Sequence, residues 1–304
     1  MEKTATLAFA LIVSAAATAQ VLEVASIEKV NLPDDPMASV AGISPQGDFI
    51  LLTTAQNVGL SKVDLTTGET TVLSTASGAG YNAKISGDGQ TVVYRETSYT
   101  NGYMRRNKLM KQDVASGKTS TLVKATRDLE GFAIDGNTAV AVNDGNLKVK
   151  ALGSGKAVAS VPALSIKNRQ LMITRDGQTS VFSPNGTQYS YIWPSISPDG
   201  TKVLYYVCSN GAYVCDIDGS NITYLGHYTY PKWYSNDIVV ACDEADNGEF
   251  LTKSEVVAVT LDGTAQTLTD SSMLAINPYA TAAGDKIAFT SGNGEAYIIN
   301  INVK

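Results

Sequence analysis

One tight-turn phrase recurs along the chain, and its recurrence limits the fold more than any other feature. The fullest copy is "ISPDG" at 196–200; "ISPQG" stands at 43–47, "ISGDG" at 85–89 and "IDG" at 134–136. Decayed forms, "WYSND" and "ATAAGD", occupy 233–237 and 280–285. An apolar run follows each copy: "FILLT", "TVVYR", "TAVAV", "KVLYYV", "IVVAC" and "KIAFT". Pro pre-sets φ at the first central position, Asp bonds back to its own backbone, and Gly accepts positive φ. Each phrase therefore reads as strand, turn, strand.

A second turn series interleaves with the first: "DLTTGE" at 64–69, "DVASGK" at 113–118, "LGSGK" at 152–156, "DIDGS" at 216–220 and "TLDGT" at 260–264. The unit is thus four antiparallel strands, with a period of mostly 37 to 47 residues. That spacing, without a long helical pattern, marks an all-β fold of the β-propeller type. Residues 136 to 200 span about one and a half units and contain an additional turn, "TRDGQ" at 174–178, which brings the turns to twelve. Six blades closed by a strand from the other terminus require eleven such turns and seven blades require thirteen. The sequence is read as six blades with a hairpin inserted in the third, and seven blades are the alternative. The last unit stops after its third strand, so "VLEVASIEKVNL" at 21–32 is expected to supply the fourth. That closure removes exposed strand edges and makes residues 20–304 a single expected domain.

Residues 1–19 read as a signal peptide: Lys3 gives a positive start, Leu7 to Val13 an apolar stretch, and Ala17-Thr18-Ala19 a cleavage site. The apolar stretch is too short to span a bilayer, and no cysteine follows the cleavage site to carry a lipid. The mature chain keeps a net charge of −6, because Glu2 and Lys3 leave together. An acidic chain without basic clusters argues against nucleic acid and against anionic membrane surfaces. The three cysteines allow either a Cys208–Cys215 bridge across one hairpin or three small buried side chains, and the second reading is preferred.

"PSISPDGTKVLYY", followed by "GAYVCDIDGSNITYLG", resembles the WD-like repeats of the TolB-type propeller family. The same repeat builds the propeller of prolyl oligopeptidases. The resemblance covers most of the mature chain as a repeat pattern, for the propeller only and without the leading α/β domain of the TolB type. It implies a periplasmic or otherwise exported protein of a Gram-negative envelope that works through protein contacts. Because propellers host many unrelated activities, the resemblance speaks to fold more than to function.

Few residues point to catalysis. His227 is the one histidine, which excludes clustered-histidine metal sites and leaves one imidazole for any nucleophile. No G-x-S-x-G phrase is present. "SGKT" at 116–119 lacks the first glycine of a phosphate loop, since that position is Gln112. "DEADNGE" at 243–249 offers Asp243, Asp246 and Glu249 as oxygen ligands for calcium, but its spacing is not that of an EF-hand and it reads as a solvated loop. No cofactor and no metal are expected.

The aromatic residues are unevenly spread: both tryptophans and nine of the fifteen tyrosines lie between 186 and 234. Trp233 is expected to pack between blades. In a four-stranded blade the tight Gly turns share one face, while connections between strands two and three, and between blades, share the other. That second face is expected to gather Tyr99, Tyr103, Tyr189, Tyr191, Trp193, His227, Tyr228 and Tyr230, together with Arg105, Arg106 and the acidic loop. Irregular loops on a rigid scaffold are where propellers bind, and tyrosine suits protein or glycan surfaces. The expected function is non-catalytic recognition of an envelope protein, peptide or glycan by a monomer. The alternative is a saccharide- or peptide-processing enzyme with carboxylates such as Asp243 or Glu249 as acid and base.

Overall fold

The Ser or Thr that opens the turn phrase is buried: Ser44, Ser86, Ser197 and Thr281 are all at most 4% exposed. Ser197 Oγ donates to Asp199 at 2.6 Å and accepts the Lys202 amide at 2.9 Å. Ser86 repeats both bonds through Asp88 and Thr91. The Ser197 hydroxyl and the Thr201 amide hold the Asp199 carboxyl below the usual carboxylate range. The phrase is therefore a hydroxyl-locked hairpin turn, which is why it repeats without carrying chemistry.

The computed structural model describes residues 20–32, 38–100, 103–157 and 162–303. The expected signal peptide, 1–19, lies outside them. Strand β1 spans Val24–Lys29. Blade 1 then holds β2 (Ala38–Ile43), β3 (Phe49–Thr54), β4 (Val58–Asp64) and β5 (Thr70–Ser77). Blade 2 holds β6 (Lys84–Ile85), β7 (Thr91–Thr100), β8 (Met104–Asp113) and β9 (Thr119–Thr126). Blade 3 contains β10 (Leu129–Asp135), β11 (Thr138–Asn143) and β12 (Asn146–Ala151). Blade 4 contains β13 (Ala163–Lys167), β14 (Gln170–Arg175) and β15 (Gln178–Val181). Blade 5 is β16 (Tyr191–Ile196), β17 (Lys202–Val207), β18 (Gly211–Asp216) and β19 (Thr223–Gly226). Blade 6 is β20 (Tyr228–Trp233), β21 (Ile238–Asp246), β22 (Leu251–Thr260) and β23 (Ala265–Thr267). Blade 7 is β24 (Ile276–Ala280), β25 (Lys286–Thr290) and β26 (Ala296–Ile301), with β1 as its outermost strand. All neighbouring strands within a blade run antiparallel.

The ring therefore has seven blades, not the six of the preferred sequence reading. The difference lies between residues 129 and 181, where the expected four-stranded blade plus inserted hairpin is instead two blades of three described strands each. Among the described residues no strand follows "LGSGK" to pair with β12, and the chain goes on to the next blade. Strand β13 passes β10 in the opposite sense, with Glu130 paired to Lys167 at 2.7 Å and Gly131 against Ser165. Six strands can be shared as four and two or as three and three with the same number of turns, so turn counting could not separate the two.

The core is divided among the blade interfaces. Seven buried clusters form among the described residues, one between each pair of neighbouring blades. Blades 7 and 1 meet through Ile298 and Ala288 against Val40 and Ile50, which completes the ring beside β1. Trp233 packs in the cluster between blades 5 and 6, and its indole N–H reaches Ser195 O. The three cysteines are free, Cys215 and Cys242 buried and Cys208 half-buried. Cys215 faces Val203 across the ladder, so the alternative bridge to Cys208 does not form.

Candidate functional site

Three innermost strands break register at the same point. The slips fall between Ile192 and Ser195 in β16, Thr229 and Lys232 in β20, and Ile276 and Tyr279 in β24. Each contains an X-Pro dipeptide: Trp193-Pro194, Tyr230-Pro231 and Asn277-Pro278. Proline offers no amide to the ladder and constrains the residue before it. The chain answers with a β-bulge, which re-aims a side chain, and the preceding residue turns left-handed: φ is 53° at Trp193, 50° at Tyr230 and 56° at Asn277. For Trp and Tyr this backbone costs on the order of 1–3 kcal/mol, and such strain gathers at binding and catalytic sites.

All three side chains line one cavity of about 880 Å³ in the centre of the ring. Its other walls come from inner strands and from connections between blades or between second and third strands, so it belongs to the loop-rich face. Trp193 stacks on Tyr230 with ring centroids 4.7 Å apart and meets Tyr206 at 5.3 Å. Asn277 Nδ2 donates to Val40 O at 3.1 Å and fastens blade 7 to blade 1 at the cavity wall.

Cations and aromatic rings share the wall. Arg95, on β7, is only 7% exposed, and its guanidinium sits 4.8 Å from the Tyr81 ring and 5.6 Å from Phe132. Its Nε has no hydrogen-bond partner. Arg105 and Arg127 line the same space. Lys232 points across Tyr279, with Nζ 5.2 Å from the ring centroid. Burial, reinforced by the ammonium of Lys84, pushes Lys232 down to about 7. Lys84 on β6 is likewise lowered by burial. Opposite in charge are Asp128, Glu130 and Asp144, grouped about Lys167. Glu130 binds Lys167 through Oε1 while its Oε2 is buried without a partner.

The residues expected from sequence divide into three groups. Trp193, Tyr230 and Arg105 line the cavity. Tyr99 and Tyr103 stand exposed at the tip of the β7–β8 hairpin, and His227 is exposed in the connection between blades 5 and 6. Arg106 follows Arg105 on β8 but is not part of the cavity wall. Tyr191, Tyr189 and Tyr228 belong to packing instead. Tyr191 is 1% exposed, its hydroxyl donates to Gly186 O at 2.9 Å, and its ring meets Tyr205. Tyr189 packs on the same cluster, and Tyr228 on the one between blades 5 and 6. The ring contacts continue from Tyr205 to Tyr213 and Tyr224, so much of the tyrosine-rich stretch forms the interior and outer wall of blade 5.

The acidic loop does not converge. Asp243 pairs with Lys253 at 2.7 Å, Asp246 accepts the Gly248 amide, and Glu249 is exposed. Neither Asp243 nor Glu249 reaches the cavity. Among the described residues no group of three His, Cys, Asp or Glu side chains is arranged to hold a metal ion. No helix among them is long and apolar enough to cross a membrane.

Sequence reading missed Arg95, Tyr81, Phe132, Tyr279 and the two lysines. One signal was available: the X-Pro dipeptides recur at 193, 230 and 277, with the spacing of the blades themselves. Arg95 had none, because β7 reads there as an ordinary buried strand.

No protein-family model matches the chain, and no curated protein matches its sequence. Solved structures do resemble it. A chain of the mitotic checkpoint complex matches 98% of this chain over its whole length, at 9% identity and TM-score 0.55. Oligogalacturonate lyase from Vibrio parahaemolyticus matches 85% of this chain over 76% of its own, at 15% identity and TM-score 0.46. TolB from Acinetobacter baumannii matches 78% of this chain, at 16% identity and TM-score 0.49, and the chain spans about 55% of its length. At such identities the likeness is one of fold, and the fold is an all-β propeller of seven blades.

Proposed function

We propose that the protein is an exported recognition module of the cell envelope, which binds a protein segment, peptide or glycan in the mouth of its central channel. The observation that carries this reading is the set of left-handed X-Pro bulges in three consecutive blades, which turn Trp193, Tyr230 and Asn277 into the cavity. A strained backbone at a large aromatic residue is retained where the side chain is needed in place. Stacked aromatic rings beside fixed cations offer both contact area and orientation to an incoming ligand. Export is supported by the leader read from the sequence. The test is capture from envelope extract by the intact protein and by a Trp193→Ala/Tyr230→Ala variant with unchanged Tm. The variant is expected to lose the captured species; equal capture by both overturns the reading.

A catalytic reading rests on Glu130, whose unpartnered Oε2 is buried beside Asp128 and Asp144 in the same cavity. Two carboxylates about 5–10 Å apart suffice for glycoside chemistry. Turnover of an oligosaccharide or peptide panel that disappears in Glu130→Gln would favour it, whereas no turnover by either protein would set it aside.

A further inference from the structure

The cavity has an excess of positive charge inside a chain of net charge −6. Arg95, Arg105, Arg127, Lys167 and Lys232 line it against three carboxylates, and the Glu130–Lys167 pair uses up one of each sign. Arg95 is 93% removed from solvent, since its exposure is 7%, yet it makes no ion pair with any described residue. Its guanidinium rests against Tyr81 and Phe132, an arrangement that fixes the plane and leaves Nε without a partner. Lys232, half-buried on the inner strand of blade 6, is again without a carboxylate partner among the described residues, and Lys84, on the inner strand of blade 2 and outside the cavity wall, adds to its repulsion.

Burying a cation without a counter-charge costs several kcal/mol per ion. Arg95, buried in the cavity wall, and the half-buried Lys232 in the same wall are not explained by packing, because aliphatic side chains of like size would fill the space without that cost. A neutral ligand would leave them uncompensated, and a cation would add to the repulsion. We propose that the cavity is a binding site for a small organic anion, whose carboxylate or phosphate group supplies the counter-charge that Arg95 and Lys232 lack. The planar fork of arginine accepts either group in bidentate fashion, and lysine adds a mobile point charge. The aromatic rings give the organic part of the ligand its contact surface. A volume of about 880 Å³ lies within the range of small-molecule pockets. The inference names a ligand class for the mouth already assigned to recognition and rests on that reading.

The experiment uses the full chain and titrates citrate and succinate in one arm, and inorganic phosphate and pyrophosphate in the other. Tryptophan fluorescence, to which Trp193 in the cavity wall contributes, and Tm are followed at constant ionic strength, with chloride as the control anion. One arm is expected to saturate and raise Tm, and affinity to fall at least tenfold in Lys232→Met and in Arg95→Met. Lys232→Met removes an unpaired, half-buried charge and should fold at least as well as the parent, so its loss of binding cannot be ascribed to unfolding. Absence of saturation in both arms, or saturation that both variants retain, overturns the anion site. If neither arm binds while capture still depends on Trp193 and Tyr230, recognition stands and the anion fails. If anions bind through Arg95 and Lys232 while capture ignores the aromatic pair, the anion site stands and the wider reading fails.

Discussion

Lys232 illustrates how one residue can report on the whole channel. Its ammonium is disfavoured by burial and by Lys84, so the folded chain releases the proton at about 7 while the unfolded chain holds it to the ordinary 10.5. Between those two values the unfolded state binds more protons, and stability rises with pH. Below about 7 both states are charged and the full cost of the buried ammonium is present. Lys232→Met is therefore expected to melt above the parent at pH 6, with the difference shrinking toward pH 10; thermal melts across that range check it. The cysteines make a second prediction at this scale. Burial pushes the thiols of Cys215 and Cys242 up to about 12, which suppresses the thiolate. Native protein treated with iodoacetamide at pH 8 should label Cys208 alone, with all three labelled after denaturation. Mass spectrometry showing early loss of either buried thiol would contradict this.

At the level of elements, the hydroxyl-locked turn and the glycine contact do different work. Ser197→Ala removes a buried oxygen that both donates to Asp199 and accepts the Lys202 amide. A loss of about 1–3 kcal/mol is expected from the groups left unsatisfied, read as a lower midpoint in urea. Gly131 serves packing. A Cβ there would lie 3.0 Å from Leu164 O and 3.2 Å from Ser165 Cβ, where blades 3 and 4 meet. Gly131→Ala should cost about 1–3 kcal/mol by overpacking, and a variant as stable as the parent would show that the seam gives way freely. The turn could be read from sequence because its residues are neighbours in the chain. The Gly131 contact could not, since Leu164 lies more than thirty residues away.

The ring as a whole is held by interfaces of unequal size. Among the described residues, the buried cluster between blades 3 and 4 contains only Val140, Val142 and Ala163, with Leu147 alongside, whereas blades 7 and 1 share ten buried residues. Local opening follows buried apolar contact, so the ring should part first at that seam. Hydrogen exchange is expected to show β13–β15 losing protection before β1 and β26; uniform protection round the ring would refute this. The same seam is where the strands divide three and three. The sequence carries the strands, the turns, the repeat and the terminal strand that pairs with β26, because each depends on local turn chemistry or on strand alternation. Blade count at 129–181 and the makeup of the cavity were settled only by the tertiary structure. A cavity wall takes one or two residues from each blade, and side chains such as Arg95, Trp193 and Lys232 become neighbours only when the ring closes.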